Sequence, residues 1–167
     1  MDFYNNMILE VFMVEEYKII SLEENLNLKE KVLSFVENCG WGIKPFFQEQ
    51  LELGILSKQK VPQSFIMIKD EKIIGFYQFI KNEPIRNKEL TPWIATLFIH
   101  KRYRGNRLSE KLIEHGRKYA FKLGYSKIYI STDHIQLYEK MGFREIGLDI
   151  DKWGSPTKIY EIESIEN

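Results

Sequence analysis

The residues of this chain best suited to chemistry form one run, Lys101-Arg102-Tyr103-Arg104-Gly105-Asn106-Arg107-Leu108-Ser109, where a strand-like segment gives way to a helical one. A helix N-terminus presents backbone N–H groups without partners and a partial positive charge. With Gly105 for a tight turn and cations on both sides of it, such a run can cradle a phosphate. Its spacing is neither that of a Walker loop nor that of a dinucleotide glycine fingerprint, and a solvated basic turn would be written with the same residues. Other chemistries have less to stand on. His100, His115 and His134 lack metal-ligand spacing, and Cys39 is the single cysteine. No Gly-x-Ser-x-Gly elbow or Cys–His pairing suggests a covalent nucleophile, so direct transfer between two bound substrates is preferred.

The elements that must hold this turn follow from hydrophobic periodicity. Leu28, Val32, Phe35, Val36 and Cys39 recur at the spacing of one helical face, with Asn27 suited to the N-cap and Gly40 to the stop. Residues 45–58 read as a second helix, with Pro45 in its first turn and Phe47, Leu51 and Ile55 inward. Residues 18–22 make a short strand. Residues 64–69, 73–81 and 93–99, rich in Ile, Phe and Tyr, make an antiparallel meander, with Asp70-Glu71 as the turn between the first two. Leu108, Leu112, Ile113, Gly116, Tyr119, Ala120 and Leu123 mark a long helix that Gly124 ends. With a strand at 128–131, the order strand, basic turn, helix, strand makes a βαβ crossover, expected to be parallel and right-handed. A short helix over 135–141 and strands over 144–149 and 158–162 complete the chain. The fold class is α/β: a mixed, mostly antiparallel central sheet with flanking helices.

Two segments resemble the GCN5-related N-acetyltransferase (GNAT) superfamily. One is Leu97-Phe98-Ile99 leading into Tyr103-Arg104-Gly105-Asn106-Arg107-Leu108-Ser109, the other Leu137-Tyr138-Glu139-Lys140-Met141-Gly142-Phe143; the likeness extends over most of residues 17–162. In that family the phosphate motif is Arg or Gln, two residues, Gly, one residue, then Gly or Ala. Arg104 matches its first position, while Arg107 and Ser109 stand at the later small positions. Ser109 is small enough for the backbone to approach phosphate, and Arg107 exchanges the freedom of Gly for a cation that can reach a phosphate oxygen. The resemblance implies acetyl-CoA as co-substrate and no metal. Its pyrophosphate would lie on Arg104, Gly105, Asn106, Arg107, Leu108 and Ser109. Its pantetheine arm would run along Leu97, Phe98 and Ile99, whose strand splays from residues 128–131 and aims an N–H at the thioester carbonyl.

By the same resemblance Tyr138 lies beside the sulfur and protonates the departing thiolate. It also reads as a core residue on a face with Ile135 and Met141. The base for the incoming ammonium stays open among Glu83, Glu89, Asp133, His134 and water, and each of these side chains also reads as an ordinary surface residue. Trp41, in Cys39-Gly40-Trp41-Gly42, falls where the family shapes its acceptor site, and it also reads as a loop aromatic capping the core.

Composition bounds the remaining choices. The 167 residues are 44% hydrophobic with only 10 Gly and 5 Pro, which excludes a disordered or collagen-like chain. Twenty-four basic against 24 acidic residues argue against nucleic acid as the main partner. A regulatory protein meeting nucleic acid through Lys101, Arg102, Arg104, Arg107 and Lys111 is the weakest alternative. No apolar run reaches the roughly 18 residues of a membrane span, the first basic residue is Lys18, and the lone cysteine gives no sign of an oxidising compartment. A cytoplasmic location and no membrane partner are expected. Residues 1–16, apolar and acidic, form an extension that could pack on the domain or on a second copy as a homodimer; residues 17–167 form the domain. The expected activity is acetyl transfer from acetyl-CoA to a primary amine, on a small molecule or a peptide, in a ternary complex. The alternative is a non-catalytic acyl-CoA-binding or regulatory module on the same fold.

Overall fold

Phe65, Ile66 and Met67 are consecutive and all buried, so the strand that holds them must be covered on both faces. In the computed structural model, which describes residues 17–134 and 136–167, this strand is β2 (Gln63–Lys69) of a seven-stranded sheet. Its neighbours are β1 (Lys18–Ser21), β3 (Lys72–Ile80), β4 (Trp93–Ile99), β5 (Lys127–Thr132), β6 (Arg144–Ile150) and β7 (Pro156–Glu163), in the order β1-β2-β3-β4-β5-β7-β6. Every adjacent pair is antiparallel except β4 and β5. Helices α1 (Lys29–Glu37) and α2 (Lys44–Leu56) cover one face, setting Val32, Val36, Phe47 and Leu51 against Ile66, Phe76 and Phe98. Helix α3 (Leu108–Lys122) covers the other, setting Leu108, Leu112, Ile113 and Ala120 against Phe65, Met67, Tyr77 and Phe79. The chain thus crosses from β4 through α3 to β5 as a parallel βαβ unit.

Three local expectations are corrected. The first helix starts later than Asn27: residues Leu26–Leu28 form a 3-10 turn and Leu28 caps α1, which ends at Glu37 before Gly40. In α2 the buried positions are Phe47, Leu51 and Gly54, while Ile55 is 40% exposed. Gly54 takes the inward place because α2 meets the chain at the carbonyl of Pro62 and the side chain of Glu23, leaving no room for a Cβ. Instead of a helix over 135–141, the described residues show a single 3-10 turn, Glu139–Met141, stopped by Gly142 at φ +97°. Residues 1–16, and the pairing expected of them, lie outside the described residues, as does Ile135.

Gly54 supplies a first prediction, in which two effects oppose. Alanine favours a helix interior over glycine by about 1 kcal/mol, but its methyl would overlap a backbone carbonyl that cannot swing aside, and overpacking of that kind costs roughly 1–3 kcal/mol. Gly54→Ala should therefore lower the urea midpoint. A raised midpoint would show that α2 can back away from Pro62.

Candidate active site

The parallel strands β4 and β5 share one bridge, Trp93 with Tyr129, and then diverge. A bulge in β4 helps to open this fork. Phe76 pairs with Phe98 and Gln78 with Ala95, so Tyr77 stands against both Thr96 and Leu97, and Thr96 takes φ +53°. Buried Gln78 fixes the bulge: its Oε1 accepts from the Thr96 hydroxyl at 3.3 Å, and its Nε2 donates to Phe47 O in α2 and to Ser64 Oγ. The β4 edge beyond Ala95 faces a space instead of a strand.

At the end of β4 the chain turns through Lys101–Tyr103, and the His100 ring accepts a bond from the Arg102 N–H. Arg104 folds back, donating from Nε to Ile99 O at 3.0 Å with its guanidinium over the Phe98 ring. Gly105 takes φ +84°. Arg107, the N-cap of α3, sits in the left-handed region at φ 58°, ψ 29°, a conformation costing a non-glycine residue about 1–2 kcal/mol. It therefore adopts the backbone that the family's glycine adopts freely. Among the described residues no side chain caps α3, leaving the amides of its first turn open to an anion. The Arg107 guanidinium is exposed and pairs with Glu110 at 3.1 Å.

A cavity of about 550 Å³ joins this turn to the fork. Of the residues singled out for the cofactor, Leu97, Ile99, Arg104, Gly105, Arg107, Leu108 and Ser109 line it. Phe98 does not: alternation along β4 sends its ring to the opposite face, stacked on Phe76. Asn106 does not either; its side chain ties the turn together by donating to Tyr103 O. A second cavity, of about 390 Å³, lies in the fork itself, lined by Ile94, Ala95, Thr96 and Leu97 of β4 and by Ile130, Ser131 and Thr132 of β5, and Trp41, Leu97, His134 and Tyr138 line both cavities. A further cavity of about 500 Å³ between α1 and the ends of β3 and β4 touches neither Tyr138 nor Glu83.

Tyr138 is 7% exposed, its ring against Phe143 and Tyr160. Among the described residues no hydrogen bond engages its hydroxyl, and burial pushes its pKa up to about 12. The second cavity also resolves the four candidate bases. Glu89 is exposed on the loop before β4 and outside the lining; Asp133 and His134 line the cavity but are exposed. Glu83 corrects the surface reading. Its Oε2 is buried without a partner, and its Oε1 accepts from the Ser131 hydroxyl at 3.3 Å. Desolvation raises its pKa to about 7, against smaller opposing effects of Ser131 and Lys88.

Glu83 is held there by the hairpin between β6 and β7. The Lys152 N–H donates to Pro84 O, the Arg86 N–H to Ile150 O, and the Asn87 N–H to the Asp149 carboxylate. Residues that sequence reasoning did not single out, Phe46, Pro84, Ser131 and Trp153, also line this cavity; no local pattern marks them. His115, by contrast, is spent in the core, its Nδ1 2.7 Å from the Tyr77 hydroxyl and its pKa pushed down to about 4 by burial. Among the described residues no three His, Cys, Asp or Glu side chains are grouped to hold a metal, and no helix is long and apolar enough to cross a membrane.

A mixed, mostly antiparallel seven-stranded sheet with flanking helices is the fold of GNAT acetyltransferases. The chain belongs to the GNAT acetyltransferase family, whose model matches residues 28–143. No curated protein sequence matches it. Solved structures with the same fold include an aminoglycoside 6'-acetyltransferase type Ii (18% identity, 90% of this chain and 99% of the other, TM-score 0.66). An aminoglycoside 6'-N-acetyltransferase complexed with coenzyme A is also similar (16% identity, 90% and 98% covered, TM-score 0.65). So is a GNAT-family acetyltransferase from Streptococcus pneumoniae (17% identity, 89% and 99% covered, TM-score 0.63).

Proposed function

We propose that this protein moves the acetyl group of acetyl-CoA directly to a primary amine of a small molecule or a peptide, both substrates being bound at once. The observation that carries this reading is the meeting of two cavities at Tyr138, one walled by the uncapped α3 terminus and the other holding the buried carboxylate of Glu83. Arg104, Arg107 and the amides around Ser109 suit a pyrophosphate, and the unpaired β4 edge suits the amide groups of a pantetheine arm laid along it like an added strand. Glu83 takes a proton from the ammonium. The amine nitrogen then bonds to the thioester carbon while an N–H of β4 supports the developing oxyanion; as the oxyanion collapses the carbon–sulfur bond breaks and the second nitrogen proton passes to the departing sulfur, giving the N-acetylated amine and the CoA thiol.

The thiolate departs beside Tyr138. With its pKa near 12 against roughly 8.5 for a free thiol, the phenol stays protonated and supports the sulfur chiefly as a hydrogen-bond donor; full transfer would be uphill by about 5 kcal/mol. The placement of Glu83 favours turnover over a binding module, because an acyl-CoA sensor has no use for a buried proton acceptor next to the thioester. The balanced charge and single cysteine support a cytoplasmic setting without a nucleic-acid partner.

Acetyl-CoA at 100 times its Kd should stabilise the fold by about 2.7 kcal/mol, raising Tm by roughly 5–10 °C. Arg107→Ala should weaken acetyl-CoA roughly 3- to 10-fold in a calorimetric titration yet leave kcat at saturation near the wild-type value, since a phosphate contact serves ground and transition states alike. An unmoved melting curve for the folded wild-type protein would remove the cofactor assignment. Native affinity in the variant would remove Arg107 from the site.

A further inference from the structure

We propose that the acceptor is an ammonium on a flat apolar body: a primary amine linked to an aromatic or similar skeleton, with no carboxylate of its own. This rests on the Glu83 cavity being the acceptor site. At about 390 Å³ it holds a compact ligand, and its walls include the rings of Trp41, Phe46 and Trp153. In the free protein Trp41 is 51% and Trp153 71% exposed, a large apolar surface to leave in water at the mouth of one cavity.

Trp41 meets Phe98 edge-on, with ring centroids 4.9 Å apart. The backbone of Trp153 is set by a turn in which the Asp151 carboxylate accepts from the N–H groups of Trp153 and Ser155, and the turn is strapped to Pro84. Two tryptophans at one mouth favour a planar partner.

Charge selects further. Among the described residues no lysine or arginine lines the cavity, so a carboxylate on the acceptor would be desolvated without a cation in the lining to receive it. The adjoining lysines are already engaged: Lys88 Nζ donates to the Glu83 carbonyl at 3.0 Å, and Lys152 Nζ lies over the Trp153 ring, 4.7 Å from its centre. Among the described residues the acidic side chains of the lining are Glu83 and Asp133, and Glu83 has a buried, unpartnered oxygen that suits an ammonium.

The test is CoA release from acetyl-CoA with 2-phenylethylamine, phenylalanine, spermidine and the aminoglycoside kanamycin as acceptors, beside a tryptophan-fluorescence titration with the first two. 2-Phenylethylamine should exceed each of the others at least about 10-fold in kcat/KM, phenylalanine because its carboxylate would be buried without a partner, spermidine and kanamycin because they bring no planar apolar body to the aromatic walls. It should also quench the fluorescence saturably where phenylalanine does not. Trp153→Ala should raise its KM several-fold. If phenylalanine, spermidine or kanamycin is turned over as well or better, the proposal is overturned while acetyl transfer stands. If no amine releases CoA, the acetyl-transfer reading falls. The titration then decides the ligand class alone: saturation by 2-phenylethylamine but not phenylalanine upholds the proposal, and any other outcome overturns it.

Discussion

Glu83→Gln should lower kcat/KM for acetyl transfer by about 100-fold or more, the loss expected when a positioned base is removed, and at the same time make the protein more stable. Burial holds the Glu83 carboxyl near 7 instead of 4.5. Between those values the folded chain keeps a proton that the unfolded chain has released, so this residue's contribution to stability is full below pH 4.5 and falls as pH rises to about 7. Above pH 7 the ionised, buried carboxylate costs about 3 kcal/mol. Glutamine keeps the shape and never ionises, so the variant should gain about that much at pH 8 and almost nothing at pH 4. The wild-type pH profile of kcat/KM should rise through about 7, and that limb should vanish in the variant. Retained turnover, or a variant less stable than wild type at pH 8, would show that Glu83 is neither the base nor a strained carboxylate.

Tyr138→Phe should lower kcat roughly 10- to 1,000-fold, more often toward the lower end, because a CoA thiolate leaves tolerably well unaided. The ring keeps its contacts with Phe143 and Tyr160, and among the described residues the hydroxyl has no partner to strand, so Tm should hardly move. The affinity for acetyl-CoA should also be retained. With the phenol near 12, wild-type kcat should show no falling limb from this group between pH 7 and 10. An unchanged kcat, measured with an acceptor that wild type turns over well, would leave Tyr138 a core residue.

What was legible in the sequence was what local pattern encodes. The bounds of β4 match the apolar run at residues 93–99, and α3 follows its apolar face from Leu108 to within a residue of the expected end. Asp70-Glu71 is the turn between β2 and β3, both residues at positive φ although neither is glycine. The site divides along the same line. The turn at Arg104 to Ser109 is contiguous and could be read directly, whereas the acceptor cavity could not.

Glu83 sits among Lys81, Asn82 and Pro84, which read as a polar loop. Its burial is produced by a hairpin some 65 positions onward that grips Pro84, Arg86 and Asn87, and no local window contains that contact. Gly54 was missed because a glycine carries no hydropathic signal, although close approach demands it. Arg107 shows the converse: the family's glycine is absent, yet neighbouring structure imposes the glycine-like backbone and bears the strain.

Acetyl transfer itself is tested most directly by stoichiometry. The purified protein is incubated with acetyl-CoA and 2-phenylethylamine, or the best acceptor of the panel above, while released CoA thiol and N-acetylated amine are quantified together by mass spectrometry. Each thiol released should be matched by one acetylated amine, with neither product formed when the amine is omitted and no acetyl group left on the protein. Thiol release without acetylated amine, an acetylated protein that forms before the amine is added, or no release by a protein shown to bind acetyl-CoA would contradict direct transfer through Glu83 and Tyr138.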